Sequence, residues 1–178
     1  GIEWNNNKNF LFALSEVVIY SGKNRAIDFS YLNPISTHLE IELNDKQNDL
    51  GTDSGNGIWQ LSMDYLFRKS LKFSFNYLID EFVLDKVQKD ANKNNEGGYS
   101  FKILYSSNNL RKHDLSNFYF SMIKIGTNTF RHEDGNNNFV VRGKPLGWNH
   151  GSDGRESKFG LNLYNDSINM LVNGKLGK

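Results

Sequence analysis

The chain has 178 residues, a formal charge of +1, no cysteine, two prolines and 38% apolar content, with a mean hydropathy of −0.60. The near-neutral charge gives no electrostatic reason to expect nucleic acid as a partner, and the lack of cysteine excludes disulfides and thiolate metal sites. No apolar run approaches the roughly 18 residues of a membrane helix, so a crossing of a bilayer would be by β-barrel, which hides its hydrophobicity in alternation.

Gly1 to Asn9 is Asn-rich and polar and reads as a loop. No initiator Met or signal-like segment opens the chain, so a processed product or a piece of something longer is expected. Phe10 to Tyr20 is the first strand, apolar on both parities apart from Ser15 and Glu16, with Glu16 either a solvated lumen residue, which is expected, or a paired interior charge. Ser21 to Asn56 is long and irregular. It holds the turn signal Tyr31-Leu32-Asn33-Pro34 and a capping box, Thr37 with Glu40, for a short helix through about Asn44. Asp45, Gln47 and Asp49 begin like a calcium loop, but the Gly falls one place late and no closing Glu follows, so a solvated loop is expected.

Ile58 to Leu84 is the organising stretch. Trp59, Leu61, Met63, Tyr65 and Phe67 share one parity against Gln60, Ser62 and Asp64; after Arg68 to Leu71, Phe73, Phe75, Tyr77 and Ile79 alternate with Lys72, Ser74, Asn76 and Asp80. The pattern predicts a long antiparallel hairpin with a tight, charged turn. Asp85 to Gly98 is again polar. Tyr99 to Tyr105 alternates, Ser106 to Asp114 reads as a moderate turn, and Leu115 to Gly126 is apolar. Thr127 to Arg155 is the third long polar stretch, followed by an alternating run from Ser157 to Tyr164, a turn at Asn165-Asp166 and a last run from Ile168 to Val172.

Long and short connections therefore alternate. In an up-and-down sheet this gathers the long loops at one end and the short turns at the other, as in outer-membrane barrels; a Greek-key sandwich has no reason to do so. The expected fold is an all-β, antiparallel up-and-down transmembrane β-barrel. Residues 1–178 would be a single domain forming about seven or eight strands of a larger outer-membrane barrel, because the seven runs are an odd number and the last lacks a terminal aromatic.

The third long stretch contains Arg131-His132-Glu133-Asp134 and then Arg142-Gly143-Lys144-Pro145-Leu146-Gly147-Trp148-Asn149-His150-Gly151-Ser152-Asp153. Gly143 to Gly147, followed by Gly151-Ser152-Asp153 and an alternating strand, resembles the closing region of the capsule-assembly Wzi family. Glu16 to Tyr20, Tyr31 to Pro34 and Leu78 to Phe82 resemble the same family in the same order, and the similarity covers most of Phe10 to Tyr164. The chain departs from the family in carrying Trp148 where a His commonly follows the Pro-Leu-Gly. The resemblance implies an outer-membrane β-barrel that holds or organises surface or capsular polysaccharide in a lectin-like role without turnover.

Sugars are bound by aromatic rings and by planar donors and acceptors that bridge hydroxyls. Trp148, Asn149, His150, Asp153 and Arg155 supply these types in one loop, and Arg131 and His132 join them as candidates. A purely structural alternative has Pro145 and the glycines shaping a turn, Trp148 packing or sitting at a membrane interface, and Arg155 paired with Asp153.

No enzyme is expected. Neighbours such as His132 and Glu133, or Asp80 and Glu81, point to opposite sides of an extended chain and make no catalytic couple. His38, His113, His132 and His150 lack metal-ligand spacing, and no cofactor is implied. Asn165-Asp166-Ser167 matches a glycosylation sequon but reads as a turn. Expected partners are surface polysaccharide, outer-membrane lipid and other outer-membrane proteins. The alternative roles are a barrel subunit of a larger outer-membrane assembly, and a soluble β-sandwich acting as a carbohydrate-binding module or glycan hydrolase.

Overall fold

The structure, a computed structural model, describes residues 1–22, 26–43, 55–81, 96–109, 114–132, 135–165 and 170–177. Its strands are β1 (Ile2–Asn5), β2 (Phe10–Ile19), β3 (Asn56–Phe67), β4 (Leu71–Glu81), β5 (Glu96–Asn109), β6 (Asp114–Ile125), β7 (Val140–Val141), β8 (Lys144–Pro145), β9 (Gly154–Asn165) and β10 (Met170–Gly177). Among the described residues eight of these form one antiparallel up-and-down sheet in the order β1-β2-β3-β4-β5-β6-β9-β10, and β7 and β8 pair as a small separate ribbon. The sheet is open, with β1 and β10 at its edges.

The long hairpin is found as the alternation predicts, with Tyr65 opposite Phe73 and Met63 opposite Phe75. Arg68 (φ 50) and Lys69 (φ 60) make its turn in the left-handed region, and the Arg68 guanidinium lies 5.0 Å from the centre of the Phe67 ring. The short helix α1 (His38–Leu43) is also found, and the Glu40 N–H donates to Thr37 Oγ1 at 3.2 Å, the first half of the capping box.

Three expectations about the strands are corrected. Ile2–Asn5 is a strand and not loop, because Ile2 and Trp4 extend the apolar rows of Leu14 and Phe12 on β2. With it the sheet has eight strands among the described residues, within the seven or eight expected. The turn expected over Ser106 to Asp114 is mostly strand: Ser106, Ser107, Asn108 and Asn109 pair with Asn117, Ser116, Leu115 and Asp114. β10 runs on to Gly177, past the expected end at Val172. The stretch from Asp45 to Asp49, expected to be a solvated loop, lies outside the described residues, and the Asn165-Asp166 turn with its sequon lies partly outside them.

With these bounds, residues 20–55, 82–95 and 126–153 join strands at one end of the sheet, and 6–9, 68–70, 110–113 and 166–169 join them at the other. Long and short connections are segregated.

Register partners in a sheet share a face, so the pairing sorts every side chain. One row reads Phe10, Tyr65, Phe73, Ile103, Phe120 and Phe159, and the next Phe12, Met63, Phe75, Phe101, Met122 and Ser157. This is the apolar face. The opposite face carries Ser62, Asn76 and Ser100 in one row and Asp64, Ser74, Lys102, Ser121 and Lys158 in the next. Its polar groups bond one another across the strands. Ser62 Oγ donates to Asn76 Oδ1 at 2.8 Å, Gln60 Nε2 to the same oxygen at 3.2 Å, and Asn76 Nδ2 to Ser100 Oγ at 3.0 Å. Lys72 pairs with Asp64 at 2.9 Å and Lys158 with Glu156 at 2.6 Å.

Along β9 the exposure of the two faces is the reverse of a soluble sheet's. The polar-face residues Glu156, Lys158 and Asn162 are half-buried and Gly160 is buried, whereas Arg155, Ser157, Phe159, Leu161 and Leu163 on the other face are exposed. No described residue of the two apolar rows is buried. Tyr77, Tyr105 and Phe118 remain between 46% and 49% exposed.

The buried hydrophobic core is small and lies at the long-loop end. Ile58 and Ile125 from the sheet meet Phe130 and Phe139 from the 126–153 connection, with Ile19, Leu78, Ile123 and Trp148 packed around them. On the apolar face at this same end, His38 of α1 lies so close to Gly57 that a Cβ there would sit 2.1 Å from the imidazole. Glu16, expected to be solvated, is instead paired with His38. Its carboxylate accepts the His38 N–H at 3.2 Å and also contacts Nδ1, with side chains only 15% and 9% exposed. A carboxylate withdrawn this far from water needs such a partner.

Candidate ligand site at the long-loop end

The connection 126–153 lies across the end of the sheet as a cap. At one side the Gly126 N–H and the Thr129 hydroxyl both donate to Gly97 O at 2.9 Å, and the Phe130 N–H donates to the Asp80 carboxylate. At the other side Asn137 is fully buried; its side-chain oxygen accepts the Ser21 N–H at 2.8 Å, and its carbonyl accepts Asn56 Nδ2 at 3.0 Å. The cap is thus fastened to β4 and β5 on one flank, and to β3 and the chain just past β2 on the other. Between these anchors the rings of Phe130 and Phe139 stack at 5.4 Å with 15° between their planes. A tight hairpin then places β7 against β8, turned by Arg142 (φ 49) and Gly143 (φ 74).

The candidate residues lie where the cap returns to β9. Trp148 to Gly151 is a turn closed by the Gly151 N–H donating to Trp148 O at 2.8 Å, with Asn149 exposed at its tip. The Trp148 ring covers Gly154, where a Cβ would approach it to 2.7 Å, and meets the His150 ring edge-on at 4.9 Å. His150 Nε2 is 3.7 Å from Glu156 Oε2, the oxygen that also accepts Lys158 Nζ. Trp148, His150, Glu156 and Lys158 therefore form one cluster at the mouth of the polar face.

The other candidates divide. Arg131 donates through Nε to Ser152 Oγ at 2.8 Å, which ties it to the Trp148 turn. The His132 N–H donates to Asn138 Oδ1 at 2.7 Å and helps shape the cap. Asp153 (φ 65) accepts the Thr127 hydroxyl at 3.1 Å, so its carboxylate closes the cap onto β9. Arg155 does not pair with Asp153. It is the register partner of Lys124 and projects from the apolar face, opposite to Gly154 and Glu156.

Glu156 and Lys158 did not enter the sequence-based set. Their signal was present in the alternation of Ser157, Phe159 and Leu161, whose opposite parity they occupy. The cluster offers a half-buried indole face, an imidazole, a carboxylate and an ammonium. These groups can pack against C–H surfaces and bridge hydroxyls. Asp80 spends its carboxylate on the cap, and among the described residues no three of His, Cys, Asp and Glu gather as a metal site. No described helix is long and apolar enough to cross a membrane, which leaves crossing by strands untouched.

No protein-family model matches this chain, nor does any curated protein or solved structure.

Proposed function

We propose that this chain forms part of the wall of an outer-membrane β-barrel of the capsule-assembly Wzi type, binding surface polysaccharide at its long-loop end without turnover. In this reading the aromatic face meets lipid, the hydrogen-bonded polar face meets the interior, and the cap on that face carries the sugar contacts. One observation supports it above all: exposure alternates along β9 with the apolar side outward and the polar side shielded. In water each half-exposed ring would forgo about 1 kcal/mol of burial, whereas in hydrocarbon the arrangement is the favourable one. The segregated loops, long at the capped end and short at the other, fit the same picture.

Trp148→Ala and Glu156→Gln should each weaken binding of a soluble surface polysaccharide by about tenfold, as expected for one lost stacking or charge-assisted contact. Arg68→Ala at the short-turn end should leave binding unchanged. Calorimetry against a panel of purified bacterial surface polysaccharides reads this directly, and equal affinities for all four chains would remove the cluster as the sugar site.

A second reading, a subunit of a larger outer-membrane assembly, is favoured by the exposed apolar side chains beside the cap. Phe29 is 78% and Ile35 89% exposed, and Val140 and Val141 of the small hairpin are exposed as well. Under it, Phe29→Asp with Ile35→Asp should shrink the detergent-solubilised particle to a single chain.

A further inference from the structure

Following the apolar face away from the aromatic rows, the first cations met on β6 and β9 are Lys124 and Arg155, which are register partners. They end a row that runs Leu14, Leu61, Tyr77, Tyr99, Lys124, Arg155 across six strands. Directly opposed side chains stand about 5 Å apart at Cβ, where like charges repel. Both are exposed, and among the described residues neither forms an ion pair. An anion held between them would relieve the repulsion.

Beside Lys124 the face opens into a recess of about 480 Å³ lined by Tyr77, Ile79, Gly97 and Tyr99, with Glu96 at its rim. The recess depends on Gly97. A Cβ there would stand 2.3 Å from the Leu78 carbonyl oxygen, so no side chain can fill the space. Glu96 is engaged by Asn128 Nδ2 at 3.0 Å. The place thus combines two unpaired cations, two phenol hydroxyls and an apolar floor at the edge of an aromatic surface.

We propose that Lys124, Arg155 and the Tyr77–Tyr99 recess bind the phosphate of a phosphorylated lipid headgroup. The guanidinium and ammonium take the phosphate oxygens, and the tyrosine rings hold the junction between headgroup and hydrocarbon. The site rests on the membrane reading given above, since it needs the apolar face to meet lipid.

The test refolds the full chain into phosphatidylcholine bilayers with and without a minor fraction of phosphatidic acid, and measures the lipid retained around the protein by mass spectrometry. At about a fivefold gain per cation near an anionic surface, the two together should enrich phosphatidic acid by roughly thirtyfold. Lys124→Gln with Arg155→Gln should abolish the enrichment, Lys124→Arg should keep it, and Lys102→Gln on the opposite face should leave it unchanged. A chain that enters the bilayer and shows no enrichment, or keeps it in the double variant, overturns the site alone. Failure to enter phosphatidylcholine bilayers when the chain is refolded together with the rest of its barrel would sink the membrane reading itself. Millimolar inorganic phosphate that strips the enrichment would assign the site to free phosphate and overturn the lipid.

Discussion

Gly160 on β9 is buried under the ring of Tyr119; a Cβ at this position would lie 2.0 Å from that ring, and Lys102 Nζ sits 5.3 Å from its centre on the other side. The stack fixes where three polar-face strands meet. Gly160→Ala should cost about 1–3 kcal/mol by overpacking, read as a lower urea midpoint in detergent, and Tyr119→Ala in the same chain should recover most of that loss. The Glu16–His38 pair makes a second residue-scale prediction. Glu16→Ala strips a half-buried N–H and ring nitrogen of their acceptor and should destabilise by about 1–3 kcal/mol. Neither feature was legible in the sequence, because Tyr119 and Gly160 are brought together only by the register of β6 with β9, and Glu16 and His38 only by the fold of the 20–55 connection. Arg155 shows the converse: its parity, one step from Glu156, already placed it on the other face from the rest of the cluster.

Strands were the most legible level. A ten-residue alternation of rings and polar groups, as in β3 and β4, excludes a slip of one residue, which would exchange the faces, and the tight turn at Arg68 and Lys69 sets the rest of the register. β1 was missed because four residues flanked by Asn carry too little alternation, and only their pairing with Leu14 and Phe12 reveals them. The end of β5 was missed because Ser106 to Asn109 is a run of polar residues with no alternation to read. If those rows meet lipid, the cost of a charge should depend on depth. Phe75→Lys, in the middle of β4, should destabilise the bilayer-inserted chain by about 2–4 kcal/mol, and Phe67→Lys beside the short turn by about 0–1 kcal/mol. Phe75→Leu should stay within about 1.5 kcal/mol. A urea titration in bilayers ranks the three, and equal costs for the two lysines would contradict a depth-dependent surroundings.

At the scale of the whole molecule, the described residues form an open sheet with an aromatic face whose two rows none of them buries, an internally bonded polar face and a cap fastened across a single end. The small core under the cap cannot account for the aromatic rows, which lie away from it. Loop segregation was legible as a pattern of lengths. That the third long connection folds onto the polar face was not, because its anchors, Asn137 with Ser21 and Phe130 with Asp80, join residues far apart in the chain.

The chain contains no cysteine, so single labels report cleanly on each face. Spin labels at Met63→Cys, Phe75→Cys and Phe101→Cys, and at Ser62→Cys, Asn76→Cys and Ser100→Cys, can be compared in bilayers by their collisions with oxygen, which concentrates in lipid, and with a water-soluble nickel chelate. The first three should collide with oxygen and be hidden from nickel, and the second three should collide less with oxygen. Labels at Met63, Phe75 and Phe101 that are hidden from both reagents, as inside a protein layer, or are reached by nickel, would contradict the membrane reading.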